Sequence, residues 1–240
     1  MKYQLYFLLL LLPLWVGCQT GKELSVDFTD IEGAANLRFQ VISQHETDLS
    51  KGLPEQCFLP DGTPANAYKE ENYTPEGMHR TTSITGSSML QQLLRYGKKY
   101  TITEIVGTYP STDGDGNEVI LSGKVMLPKG QKPKRMILVS HYTVCSNIEA
   151  PSNCFSLEGV LVKLGYGLII PDYLGYGVTA DQIHPYLVMD LTARNVFDMY
   201  LAVREWLKAA EMEPEHDELC LMGYSQGGAT TMAVQLPRTS

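Results

Sequence analysis

Five residues near the end of the chain, Gly223-Tyr224-Ser225-Gln226-Gly227, constrain its fold more than any other stretch. An apolar run from Leu219 to Met222 leads into them, and a small-residue segment with helical character begins at Gln226. A strand that turns into a helix within so few residues needs a sharp bend, and a G-x-S-x-G bend lifts a serine oxygen clear of the sheet. Glycine is needed on both sides because the turn brings backbone and neighbouring elements too close for a Cβ. Three fixed positions would arise by chance in about one chain in ten of this length, so the surrounding pattern has to decide.

That pattern is alternating. Tyr100, Ile102 and the neighbouring threonines predict a strand, Asp113-Gly114-Asp115-Gly116-Asn117 a turn, and Val119 to Leu127 a second strand of a hairpin. Met136 to Val139 is a continuous apolar run, as expected for a strand buried on both faces. Ser156 is placed to cap a helix carrying Leu157, Val160, Leu161 and Leu164 on one side, with Gly165 as its left-handed stop. Leu168 to Pro171 is the next buried strand. A longer helix follows Asp190, its face marked by Val196, Met199, Tyr200, Val203, Leu207 and Ala210, and it leads to the strand before Ser225. Strand, helix, strand, helix, strand predicts an α/β fold with a mostly parallel sheet and flanking helices over residues 98–240. Residues 18–97 read as an N-terminal extension rich in turn formers. Its one clear alternation is Leu37, Phe39 and Val41, and a short amphipathic helix is expected around Met89, Leu90, Leu93 and Leu94.

An apolar fraction of 44% and a charged fraction of 19% suit a globular enzyme, and a formal charge of −8 without a basic cluster argues against nucleic acid as a partner. Residues 1–17 combine Lys2, an apolar run from Leu5 to Val16 and a small residue, the layout of a bacterial signal peptide. Leu14-Trp15-Val16-Gly17-Cys18 resembles the lipobox of bacterial lipoproteins, although Trp15 stands where those proteins usually carry leucine. The resemblance implies acylation of Cys18 and an exported, membrane-anchored lipoprotein, periplasmic or at the cell surface. An ordinary cleaved signal is the alternative. In such a compartment Cys145 and Cys154, which flank a loop rich in Asn, Pro and Ser, are candidates for a disulfide. Cys220, in an apolar strand, reads as a small buried hydrophobe. No metal site or cofactor is expected.

In a parallel sheet, ligands collect at the carboxyl ends of strands. Ser225 is therefore the prime candidate for a nucleophile, and a serine hydroxyl needs a histidine to take its proton and a carboxylate to orient that histidine. The carbonyl under attack becomes an oxyanion, which the backbone amides of Gln226 and of Tyr142, in the loop after the 136–139 strand, are placed to stabilise. His141 shapes that loop more readily than it serves as base. His141, Asp172 and His184 are candidate pocket residues, and Asp172, at the end of its strand, binds loop amides more readily than it polarises a histidine.

Three segments carry a family resemblance: Pro171-Asp172-Tyr173-Leu174-Gly175-Tyr176-Gly177, His184-Pro185-Tyr186-Leu187, and Gly223-Tyr224-Ser225-Gln226-Gly227-Gly228. Together, over roughly residues 98–235, they resemble the secretory lipase group of α/β hydrolases. The resemblance implies hydrolysis of acyl esters or lipids through an acyl-enzyme on Ser225. The chain departs from the group at its end. In this fold the triad runs Ser, then Asp or Glu, then His, and the fifteen residues after Ser225 contain no Asp, Glu or His. The expectation is an N-terminal half of a hydrolase domain, truncated, with an open apolar sheet edge that favours aggregation and with little or no esterase activity of its own. A serine peptidase of the same fold and a non-catalytic lipoprotein fragment are the alternatives.

Overall fold

The computed structural model describes residues 26–31, 33–51 and 100–235. The signal segment, Cys18, Cys57 and the expected helix around residues 89–94 lie outside the described residues.

Six strands are described: β1 (Gln40–Asp48), β2 (Thr101–Thr112), β3 (Glu118–Pro128), β4 (Met136–Ser140), β5 (Gly167–Pro171) and β6 (Cys220–Gly223). They form one sheet in the order β1-β2-β3-β5-β4-β6. The expected mostly parallel sheet is in fact mixed: β1, β2, β3 and β5 pair antiparallel in turn, and only β5, β4 and β6 run parallel. Connection length explains the antiparallel pairing of β2 with β3, because the link between them is too short for a crossover. It is a tight turn in which the Asp113 carboxylate accepts the amides of Asp115 and Asn117, both at 2.9 Å. The two parallel connections diverge around β4. One leads from β4 to β5 on one side, and the other returns from β5 to β6 on the far side. A divergence of this kind opens a crevice at the carboxyl ends of the strands, which here are Ser140 and its register partner Gly223.

β4 and β5 are buried along their whole length, as their unbroken apolar runs require. The long helix α1 (Met189–Ala209) packs on β2, β3 and β5 through Val196, Met199, Val203 and Leu207, the expected face, joined by Ala202 and the fully buried Trp206. The second helix, α2 (Gln226–Gln235), follows Ser225 directly.

Two local expectations are corrected. The N-terminal extension supplies an edge strand, β1, antiparallel to β2. Its alternation at Leu37, Phe39 and Val41 does face the core, where the Phe39 ring meets Trp206 edge-on at 5.2 Å and Phe28 meets it at the same distance. The helix after Ser156 is a 3-10 helix over Leu157–Leu164, with Gly165 in the left-handed region at φ 90°. With three residues per turn, the positions that line up are i and i+3. The buried pair is accordingly Gly159 and Val162, whereas Leu157 and Leu164, on the expected face, are exposed. A Cβ at Gly159 would lie 2.5 Å from the Met126 Cε, so this stretch rests against β3 through its backbone.

Candidate active site

Ser225 occupies the bend between β6 and α2 with φ 56°, in the left-handed region that non-glycine residues seldom adopt. Its side chain is exposed. The flanking glycines allow the bend for a reason visible in their surroundings. A Cβ at Gly223 would collide with the Gly227 carbonyl, and one at Gly227 would collide with the carbonyl of Ser140. The start of α2 therefore lies directly on the backbone that ends β4. Gln226, at the first position of α2, contributes one of the amides that a helix leaves without an internal acceptor. Tyr142 follows two residues after Ser140, in the loop against which Gly227 packs. The two residues expected to supply oxyanion amides thus come from adjacent elements, joined by the pairing of Ser140 with Gly223.

His141 is 5% exposed and stacks on Tyr173 with ring centroids 3.8 Å apart. Its Nδ1 lies 2.7 Å from the Tyr142 carbonyl, which can only accept, so Nδ1 carries the proton. Burial pushes its pKa down to about 4; the Tyr142 contact opposes that shift, and His184 adds to it. A buried ring held neutral and bonded to the next carbonyl shapes its loop, and among the described residues no carboxylate bonds to it. The Tyr173 hydroxyl donates to the His141 carbonyl at 2.9 Å, bracing the same loop from β5.

His184 is half-buried. Its Nδ1 donates to the Leu174 carbonyl at 2.7 Å, which leaves Nε2 as an acceptor 2.9 Å from the side-chain nitrogen of Gln226. Its ring lies nearly parallel to that of Tyr173, at 5.9 Å and 11°. A Cβ at Gly175 would lie 2.6 Å from the backbone of His184, so this glycine at φ 92° is what lets the two segments dock.

Asp172, 1% exposed, is buried against neighbouring loops rather than open to solvent. Its carboxylate accepts the Ser122 hydroxyl at 2.6 Å and the Ser152 amide at 3.0 Å, the loop-binding role expected for it. Burial raises its pKa, while the hydrogen bonds from Ser122 and Ser152 hold that rise back. The same face of β3 carries a charge pair that sequence reasoning did not single out. Lys124 Nζ lies 2.8 Å from Glu104 and 2.8 Å from the Cys154 carbonyl, with side-chain exposures of 3% and 2% for Lys124 and Glu104.

Cys145 and Cys154 are not joined in the structure. Cys145 is an exposed thiol, and the Cys154 sulfur donates to the Glu149 carbonyl at 3.3 Å. A cavity of about 200 Å³ between α1 and the sheet is lined by Met136, Ile169, Leu207 and Leu219. Met136 opens β4 and Leu219 precedes β6, so this cavity lies at the opposite end of the strands from Ser225.

Among solved structures, a protein of Legionella pneumophila described as a hydrolase is 30% identical with a TM-score of 0.50, over 59% of this chain and 40% of its own. The rice cell wall degrading esterase LipA of Xanthomonas oryzae is 27% identical with a TM-score of 0.51, over 60% of this chain and 40% of its own. The fold is an α/β fold shared with hydrolases. A mutant form of the same esterase aligns over 81% of this chain at 20% identity and a TM-score of 0.53, a likeness of fold alone. The chain spans about 40% of the length of these structures. No family model and no curated protein matches it. Among the described residues no helix is long and apolar enough to cross a membrane.

Proposed function

We propose that the full-length protein is a serine carboxylic-ester hydrolase that works through an acyl-enzyme on Ser225. The observation that supports this most is the exposed serine at φ 56° on a strand-to-helix bend whose first helical turn rests on the loop holding Tyr142. The Ser225 Oγ attacks the acyl carbon, its proton passing to a base. The backbone amides of Gln226 and Tyr142 take up the developing negative charge. The alcohol leaves with the proton returned by the base, and water then releases the acid by the same route.

Neither His141 nor His184 is placed as that base. His141 and His184 both commit Nδ1 to backbone carbonyls, where a catalytic histidine would have a carboxylate. Without a base the 240 residues alone are expected to turn over esters slowly at most. Substrates are acyl esters or lipids, in keeping with the esterase likeness. On the same reading Cys18 carries a lipid that tethers the mature protein; the mass of its N-terminal peptide tests this, and an unacylated peptide would contradict it.

Hydrolysis of p-nitrophenyl acyl esters and of peptide anilides by the full-length protein tests the reading. Ester turnover is expected, and Ser225→Ala should lower it by on the order of 10⁴-fold or more. Cleavage of the anilides alone would transfer the site to a peptidase, and turnover of neither would overturn the proposal.

A further inference from the structure

Oxyanion donors on two different loops need something to hold them in register, and the segment His184-Pro185-Tyr186 touches both. At one end, His184 Nε2 accepts from the Gln226 side chain. At the other, the Tyr186 hydroxyl lies 3.3 Å from Thr143 Oγ1, one residue beyond Tyr142. Between them Tyr173 lies against the rings of both His141 and His184 and bonds to the His141 carbonyl. We infer that His184 is a positioning residue: it latches the Gln226 side chain and so fixes the backbone amide beside Ser225 where the oxyanion forms. The inference rests on the hydrolase reading and replaces the expectation that His184 lines the substrate pocket.

The chemistry of the latch is directional. The Leu174 carbonyl accepts from Nδ1, so the neutral ring offers Nε2 only as an acceptor, and Gln226 supplies the matching N–H. The two nitrogens can therefore be separated by substitution. Asparagine reproduces the reach of Nδ1 and keeps the bond to Leu174, whereas glutamine reproduces the reach of Nε2 and keeps the bond to Gln226. In the full-length protein, His184→Asn and Gln226→Leu are each expected to lower kcat for ester hydrolysis by about 10- to 100-fold with KM little changed. Combined, they should cost no more than either alone, because both break one bond. His184→Gln should restore most of kcat. Long-range nitrogen–proton NMR on the 240-residue chain reads the latch without any turnover, and is expected to show His184 protonated at Nδ1 and not at Nε2.

A rise in KM with kcat intact in His184→Asn would make His184 a pocket wall and overturn the inference. A lowered Tm with both constants intact would make it a structural brace, and an Nε2-protonated ring would remove the latch outright. If the wild type hydrolyses no ester while the Nδ1 tautomer is seen, the hydrolase reading fails, and with it the positioning role, although the hydrogen bond itself stands.

Discussion

Ser225 is held in a backbone conformation that costs a non-glycine residue about 1 kcal/mol or more, and strain of this kind persists where the surroundings over-determine it. Ser225→Gly is therefore expected to stabilise the fold by about 1 kcal/mol in urea denaturation while abolishing reaction at this position; a loss of stability would mean the bend is not strained. His141 gives a second residue-scale prediction. Its folded-state pKa, about 4, lies below its ordinary 6.5, so its contribution is fully present above pH 6.5 and is lost as pH falls toward 4. The loss amounts to about 3 kcal/mol over that window. Between pH 7 and pH 4.5 the unfolding free energy from urea melts should fall further in the wild type than in His141→Gln by most of that amount, and equal falls would contradict the buried, neutral ring. At this scale the sequence made Ser225 legible because its glycines answer to steric contacts any such bend must make. The roles of Asp172 and His184 were less legible, since a polar residue at a strand end reads the same whether it faces substrate or, as Asp172 does, another loop.

The sheet's elements were readable where burial is two-sided. The unbroken runs of β4 and β5 and the turn at Asp113 to Asn117 left little choice of structure. The 3-10 form of Leu157–Leu164 was not readable, because its apolar spacing fits an α-helix and the deciding contact, Gly159 on Met126, is tertiary. Nor was the Glu104–Lys124 pair, which joins β2 to β3 and reaches the Cys154 carbonyl of the loop below. Charges this deeply buried are costly to orphan. Lys124→Met is expected to destabilise by about 3–5 kcal/mol in urea denaturation, and adding Glu104→Leu should recover most of it. A small effect of the single substitution would mean that water reaches the pair.

For the whole molecule, strand order is what makes the site. Placing β5 and β6 on opposite sides of β4 brings Gly223 beside Ser140, and hence the Ser225 bend beside the Tyr142 loop. The sequence pattern announced the parallel strands but not this order, which depends on which apolar faces meet. It left β1 unplaced as well: the alternation at Leu37, Phe39 and Val41 was readable, but most of β1 is polar and its packing on Trp206 is a tertiary contact. Labelling of the full-length protein with a fluorophosphonate, followed by mass spectrometry of its peptides, tests the central claim most directly. The expected result is one phosphonyl group on Ser225, absent in Ser225→Ala and slow to form on the 240-residue chain. Rapid labelling at any other residue, or none on the full-length protein, would contradict it.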